Sequence, residues 1–242
     1  MSIILKKPNR SGGMIKQIIV VSDGKSNKGP NPSEMAQLAQ KKGIKVSTIG
    51  IIDNCDESAI LELENIAEKG GGICELTDID SLSKTLSRVT VQSIYQTIEE
   101  VVSNQLKNIM DAELEEMRPD IRQRIINMID KIGDETPLKC LILLDTSGSM
   151  RDKIEISKKS IYELLLFLEE RSGENQIGVI RYPGVKGDYE LLCEFTDDLS
   201  KLRRQISHIE VGGVTPTGSA IEGAIKVFEG DDEEYLIKDY VV

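Results

Sequence analysis

Residues 138–149 read LKCLILLDTSGS, and this stretch decides the fold. An apolar run this short, followed at once by Asp145, Ser147, Gly148 and Ser149, reads as a strand buried on both faces that ends in a turn. In an open parallel sheet, ligands bind beyond the carboxyl ends of strands, beside the point where the strand order reverses. Here one carboxylate, Asp145, and two hydroxyls, Ser147 and Ser149, emerge at alternate positions from that end, with Gly148 allowing the backbone to curl. Asp145 is expected at the surface end of its strand. Carboxylate and hydroxyl oxygens are hard donors and suit Mg²⁺, Mn²⁺ or Ca²⁺ better than zinc. Two other loops add weight to this short motif. Asp23 closes a second apolar run, QIIVVS at 17–22, and Thr215 lies in the glycine-rich GGVTPTG at 212–218.

Outward from this stretch, strand and helix patterns alternate. After Asp23-Gly24, Ser33 is placed to cap a helix carrying Met35, Leu38 and Ala39. Val46 to Ile52 reads as a buried strand, and Asp56 as the cap of a helix with Ile60, Leu63 and Ala67 on one face. GGICEL at 71–76 supplies a third strand, and Asp78 to about Val91 a third helix. Apolar residues from Ile94 to Met117 then recur at helical spacing, and Pro119 opens a second periodic stretch through Ile132. Residues 92–137 read as a helical connector bent at Arg118-Pro119. Beyond it come a helix marked by Ile154, Ile161, Leu165 and Leu168, and the strands QIGVIRY and YELLCEF, joined by the hairpin loop PGVKGD. Helices from Asp198 to Ile209 and from about Ser219 to Phe228 follow, with EGDDEEYLIKDYVV as a solvated end. Alternation of this kind predicts an α/β fold: a Rossmann-like open sheet, mostly parallel, with helices on both faces. The 189–195 strand, which follows a hairpin, is the expected antiparallel edge.

Composition excludes several functions. With 39% hydrophobic and 29% charged residues, the 242-residue chain has the profile of a folded globule. No apolar run approaches the roughly 20 residues of a membrane span. MSIILKKPNR has no signal-peptide core, so the expected location is cytoplasmic. A net charge of -11, from 41 acidic and 30 basic residues, argues against nucleic acid as partner. Aromatics at 4%, without Trp, provide few stacking surfaces. Cysteines 55, 74, 140 and 193 form no CxxC pair and read as buried or incidental thiols. Gly24-Lys25-Ser26 fails as a P-loop because Ile19 stands where its first glycine is needed. The lone histidine, His208, falls in a polar helical pattern. LDTSGS resembles an aspartic-protease loop, yet Ser147 replaces its glycine and no second copy exists. A Ser-hydrolase elbow would need glycine where Asp145 stands.

Asp145-x-Ser147-x-Ser149, Thr215 after two glycines and Asp23 in SDG resemble the metal-ion-dependent adhesion site (MIDAS) of von Willebrand factor A (vWA) domains. The segment RYPGVKGDYELLCEFTDDLSKLRRQI at 181–206 resembles that family's second and third strands and following helix. In the family the DxSxS strand comes first and the aspartate strand third, whereas here the aspartate strand leads. The chain therefore resembles a circularly permuted vWA domain, residues 1–91 plus 138–242, in which the 92–137 connector joins the old termini. In order and length it resembles the permuted vWA proteins of spore-forming bacteria encoded near a sporulation phosphatase and a Ser/Thr kinase.

The resemblance implies a metal site formed by Asp145, Ser147, Ser149, Thr215 and Asp23. Ser147, Ser149 and Thr215 would offer neutral oxygens, and the two aspartates would bind directly or through water. The cation then keeps an open position for a Glu or Asp of a protein partner, giving metal-gated binding without turnover. A Mg²⁺-dependent phosphohydrolase using Asp145 is the alternative, though a basic phosphate clamp is missing. Sequence leaves open the oligomeric state, and whether the two halves pair within one chain or by swapping.

Overall fold

The computed structural model describes residues 13–52, 57–110, 114 and 117–240. Its strands are β1 (Ile15–Ser22), β2 (Ile44–Ile51), β3 (Gly71–Thr77), β4 (Leu138–Asp145), β5 (Asn175–Tyr182) and β6 (Glu190–Thr196). They form one six-stranded sheet in the order β3-β2-β1-β4-β5-β6. All neighbours run parallel except β5 and β6, the antiparallel hairpin at the edge. The two sequence halves thus share a sheet within one chain, with Ile15 to Val21 of β1 in register with Leu138 to Leu144 of β4. The chain winds outward from β1 to β3 on one side and from β4 to β6 on the other. The β1/β4 seam is therefore the switch point, where the carboxyl ends of two central strands open a crevice.

Helices α1 (Pro32–Lys41), α2 (Glu57–Lys69), α3 (Leu82–Met110), α4 (Pro119–Glu135), α5 (Ile154–Leu168), α6 (Leu199–Ile206) and α7 (Thr217–Tyr240) cover both faces. Because strand side chains alternate, β1 and β4 feed two cores. Ile19, Val21, Ile142 and Leu144 pack with Leu86, Ile94, Ile161, Leu165 and Leu202 of α3, α5 and α6. Ile18, Val20, Leu141 and Leu143 pack with Ala36, Leu63, Ile66, Ala224 and Phe228 of α1, α2 and α7. Burial on both faces accounts for the unbroken apolar runs of these strands.

Several local expectations are corrected. The α1 cap is Asn31, whose side chain accepts from the Ser33 amide, and Pro32 occupies the first helical position. Ala36 and Ala39 bury while Leu38 stays exposed. Asp56, Cys55 and the first residues, MSIILKKPNR, lie outside the described residues. The helix expected to stop near Val91 is part of α3, which runs without a break to Met110. No Gly or Pro interrupts 82–110, so the sequence contains no strong stop signal there. Helix α4 begins at Pro119 as expected and meets α3 at Gly133, where a Cβ would crowd the Tyr95 ring. Helix α6 ends at Ile206, which leaves His208 in the exposed loop beyond it. Helix α7 continues through the acidic segment to Tyr240. Cys74, Cys140 and Cys193 are free thiols on strands.

Gly218, in the first turn of α7, faces the Pro30 carbonyl so closely that a Cβ would strike that backbone atom. Gly218→Ala should therefore wedge the 27–30 loop from α7 and cost ~1–3 kcal/mol. Gly230→Ala, in the same helix with open space around it, should be neutral or slightly stabilising. Urea unfolding of both variants checks the contrast.

Candidate metal centre

At the β1/β4 seam the two strands end in carboxylates. Asp145, the last residue of β4, is fully buried rather than at the surface, which corrects the sequence expectation. Its Oδ2 accepts from the Ser22 hydroxyl at 2.5 Å, and its Oδ1 accepts from the Ser147 amide at 2.8 Å. The backbone after Asp145 turns through a short 3-10 segment, Gly148–Met150, and this brings the two serine hydroxyls face to face at 3.2 Å. Ser149 then donates to Asp23 Oδ1 at 2.6 Å. Asp145, Ser147, Ser149 and Asp23 are thus one hydrogen-bonded cluster drawn from two strand ends.

Thr215 arrives from a third loop. Its amide donates to Asn27 Oδ1 at 2.8 Å, and its carbonyl accepts from the Asn27 amide and the Ser26 hydroxyl, both at 3.1 Å. The same loop is held on its other side by Gly212, whose amide donates to the Thr146 carbonyl at 2.8 Å. Gly212 and Gly213 have φ of 154° and 89°, the left-handed region that glycine enters without a Cβ penalty. Each loop is therefore tied to the other two. The Thr215 side chain is buried, but its hydroxyl makes no hydrogen bond to the other four candidates. The structure joins those four directly and places Thr215 beside them through its backbone.

Burial dominates the electrostatics. It pushes the Asp145 carboxyl up to about 6, against the lowering effect of the Ser22 and Ser147 hydrogen bonds, and the charge of Asp23 adds to the rise. Lys153, itself buried, donates its ammonium to Asp23 Oδ2 at 2.7 Å. Beneath the cluster lies Tyr182, fully buried, with its hydroxyl beside those of Ser22 and Thr217 but in no hydrogen bond of normal geometry.

Ser22, Asn27, Lys153 and Tyr182 were not singled out in the sequence reading. Lys153 did leave a signal. It is the N-cap of α5 and makes no side-chain capping bond. A cation at a helix N-terminus opposes the helix dipole, so its presence there implies a compensating anion nearby. His208 forms no part of the cluster and is solvent-exposed.

The donor chemistry fits a hard divalent cation. The centre offers only hydroxyl and carboxylate oxygens, with two carboxylates that burial leaves short of positive charge. Among the described residues no group of three or more His, Cys, Asp or Glu gathers anywhere, so a zinc-type or all-carboxylate site has no counterpart here.

Two models of the von Willebrand factor type A domain match the chain, one over residues 140–239 and the other over residues 4–88. An uncharacterised protein of Bacillus subtilis, YabS, is 36% identical over 223 residues, covering 90% of this chain and 91% of its own. The crystal structure of an uncharacterised Alicyclobacillus acidocaldarius protein is 34% identical with a TM-score of 0.85, covering 92% of this chain and 97% of that one. At much greater distance, 15% identity and a TM-score of 0.33, stands proximal thread matrix protein 1 of the mussel byssus, in a structure with a zinc-occupied MIDAS motif; 86% of this chain and 45% of that one are covered.

Ser22→Ala should remove the hydroxyl donor of a buried carboxylate and cost ~1–3 kcal/mol, because Asp145 Oδ2 is left without its partner. Urea unfolding in EDTA checks the loss.

Proposed function

We propose that this chain, which belongs to the von Willebrand factor type A domain family, is a metal-dependent protein-binding module that captures an acidic residue of a partner without turnover. The observation that carries this reading is the interlocked cluster of Asp145, Ser147, Ser149 and Asp23 at the sheet's switch point, with the Thr215 loop stitched beside it. Ser147, Ser149 and Thr215 would hold the cation through neutral oxygens. Asp145 and Asp23 would hold it directly or through water, with Asp23 already accepting from the Ser149 hydroxyl. Bound there, Mg²⁺, Mn²⁺ or Ca²⁺ supplies positive charge and an open coordination position to a Glu or Asp side chain of the partner.

The geometry argues for binding over chemistry. A phosphohydrolase would need an Asp145 oxygen free to attack, whereas Asp145 is fully buried with both oxygens hydrogen-bonded. The chain order supports a circular permutation. The aspartate strand β1 precedes the DxSxS strand β4 in sequence and lies against it in the sheet, and α3 and α4 stand between β3 and β4. On this reading residues 1–91 and 138–242 are one permuted domain with 92–137 as the connector. Among the described residues no helix is long and apolar enough to cross a membrane. The chain's setting, by resemblance, is sporulation or regulation linked to a kinase and a phosphatase.

Saturating Mg²⁺ or Mn²⁺ should raise Tm by several degrees, since the cation binds only the folded state. Asp145→Asn, close in shape but uncharged, should abolish the rise, and Thr215→Ala should lower partner capture more than stability. Thermal shifts in Mg²⁺ and EDTA, with pull-downs from cell extract under both conditions, check this. Capture that ignores EDTA would contradict the metal bridge.

A further inference from the structure

Lys153 is a buried cation of the centre with no task in the proposed function. It is 6% exposed, and the Asp23 side chain it meets at 2.7 Å is 0% exposed. Its backbone is fixed on both sides. The Lys153 amide donates to the Met150 carbonyl at 2.9 Å, and its carbonyl accepts from the Ser157 amide at 2.9 Å and the Ser157 hydroxyl at 3.0 Å. The ammonium is thereby held at the positive end of α5 against that helix's own dipole. Burying a lysine costs heavily unless it is paired, and here the pair partner is one of the two carboxylates of the candidate metal centre.

We propose that Lys153 is a built-in counter-cation of this centre, which holds Asp23 in the metal-free protein and weakens the grip on a divalent cation in favour of a carboxylate ligand. The inference rests on the metal-site reading above and deepens it. Charge counting gives its logic. Asp145 and Asp23 contribute two negative charges and Lys153 one positive, so the ionised centre carries a net charge of -1. A divalent cation turns this to +1, which favours an acidic ligand. Without Lys153 the same cation would only neutralise the centre: the metal would bind more tightly and the acidic ligand would gain less. Lys153 thus shifts the balance from metal affinity toward partner affinity, and it lets the loops stay assembled when the metal leaves.

The test uses the full chain as wild type, Lys153→Met, Lys153→Gln and Lys153→Arg, with Mn²⁺ as the metal probe and acetate as the carboxylate probe. Calorimetric titration gives the Mn²⁺ affinity with and without acetate, and thermal unfolding in EDTA gives metal-free stability. Lys153→Met and Lys153→Gln should bind Mn²⁺ about tenfold more tightly or better, because a like charge has been removed. Both should melt several degrees lower in EDTA, where Asp23 loses its charged partner. Acetate should tighten Mn²⁺ binding more in wild type than in the neutral variants, as linkage requires. Lys153→Arg should stay near wild type in affinity. A lesion that merely loosened the site would weaken Mn²⁺ binding, so the sign separates the two roles. If Lys153→Met fails to fold in EDTA, Lys153→Gln, which keeps a hydrogen-bond donor toward Asp23, decides. Equal or weaker Mn²⁺ binding in the neutral variants, with wild type binding normally, overturns the counter-cation role. No Mn²⁺ binding by wild type overturns the metal-site reading itself.

Discussion

The parallel pairing of β1 with β4 brings two carboxylates to the same buried place, and the rest of the site answers that constraint. Asp145 ends one strand, Asp23 follows the other, and both are almost wholly withdrawn from solvent. Two negative charges so placed raise each other's energy unless donors or cations surround them. The chain supplies Ser22 and the Ser147 amide to Asp145, and Ser149 and Lys153 to Asp23. Every one of these donors comes from a loop or strand end at the carboxyl edge of the sheet, where backbone direction and helix N-termini favour anions. The ordered cluster at the seam is the consequence of that one arrangement.

The third loop is built differently from the other two. Thr215 is positioned through its backbone, by Asn27 and Ser26 on one side and by Gly212 on Thr146 on the other, while its hydroxyl stays out of the cluster's hydrogen bonds. A side chain held this way is left freer than Asp145, whose oxygens are both hydrogen-bonded. The neighbouring Val214 is 43% exposed.

Much of this was legible in the sequence, for physical reasons. Strands buried on both faces show themselves as unbroken apolar runs, so β1, β2 and β4 were visible, and the residues just beyond them had to be polar loops. Asp23, Asp145, Ser147 and Ser149 stand just beyond such runs, and the resemblance to the vWA family is what marks them as a candidate metal site. Ser22, Lys153 and Asn27 carry no such mark, since their partners lie 123, 130 and 188 residues away in sequence. Local pattern contains no trace of such pairings beyond the oddity of a lysine at a helix N-terminus. A strand's end reads as surface, yet Asp145 is fully buried and hydrogen-bonded by Ser22 from 123 residues away. The full length of α3 is not marked locally, because no Gly or Pro separates its first turns from the periodic stretch that begins at Ile94. Ser33 reads as the α1 cap by residue type, but Pro32 takes the first helical position and moves the cap to Asn31.

The central claim, that the ends of β1 and β4 and the Thr215 loop hold one divalent cation, is tested most directly by anomalous diffraction from crystals grown with Mn²⁺. The account predicts a single strong anomalous peak among the oxygens of Ser147, Ser149 and Thr215, with Asp145 and Asp23 beside it. A peak elsewhere on the molecule, or none while the Asp23–Lys153 and Ser149–Asp23 bonds remain in place, would contradict it.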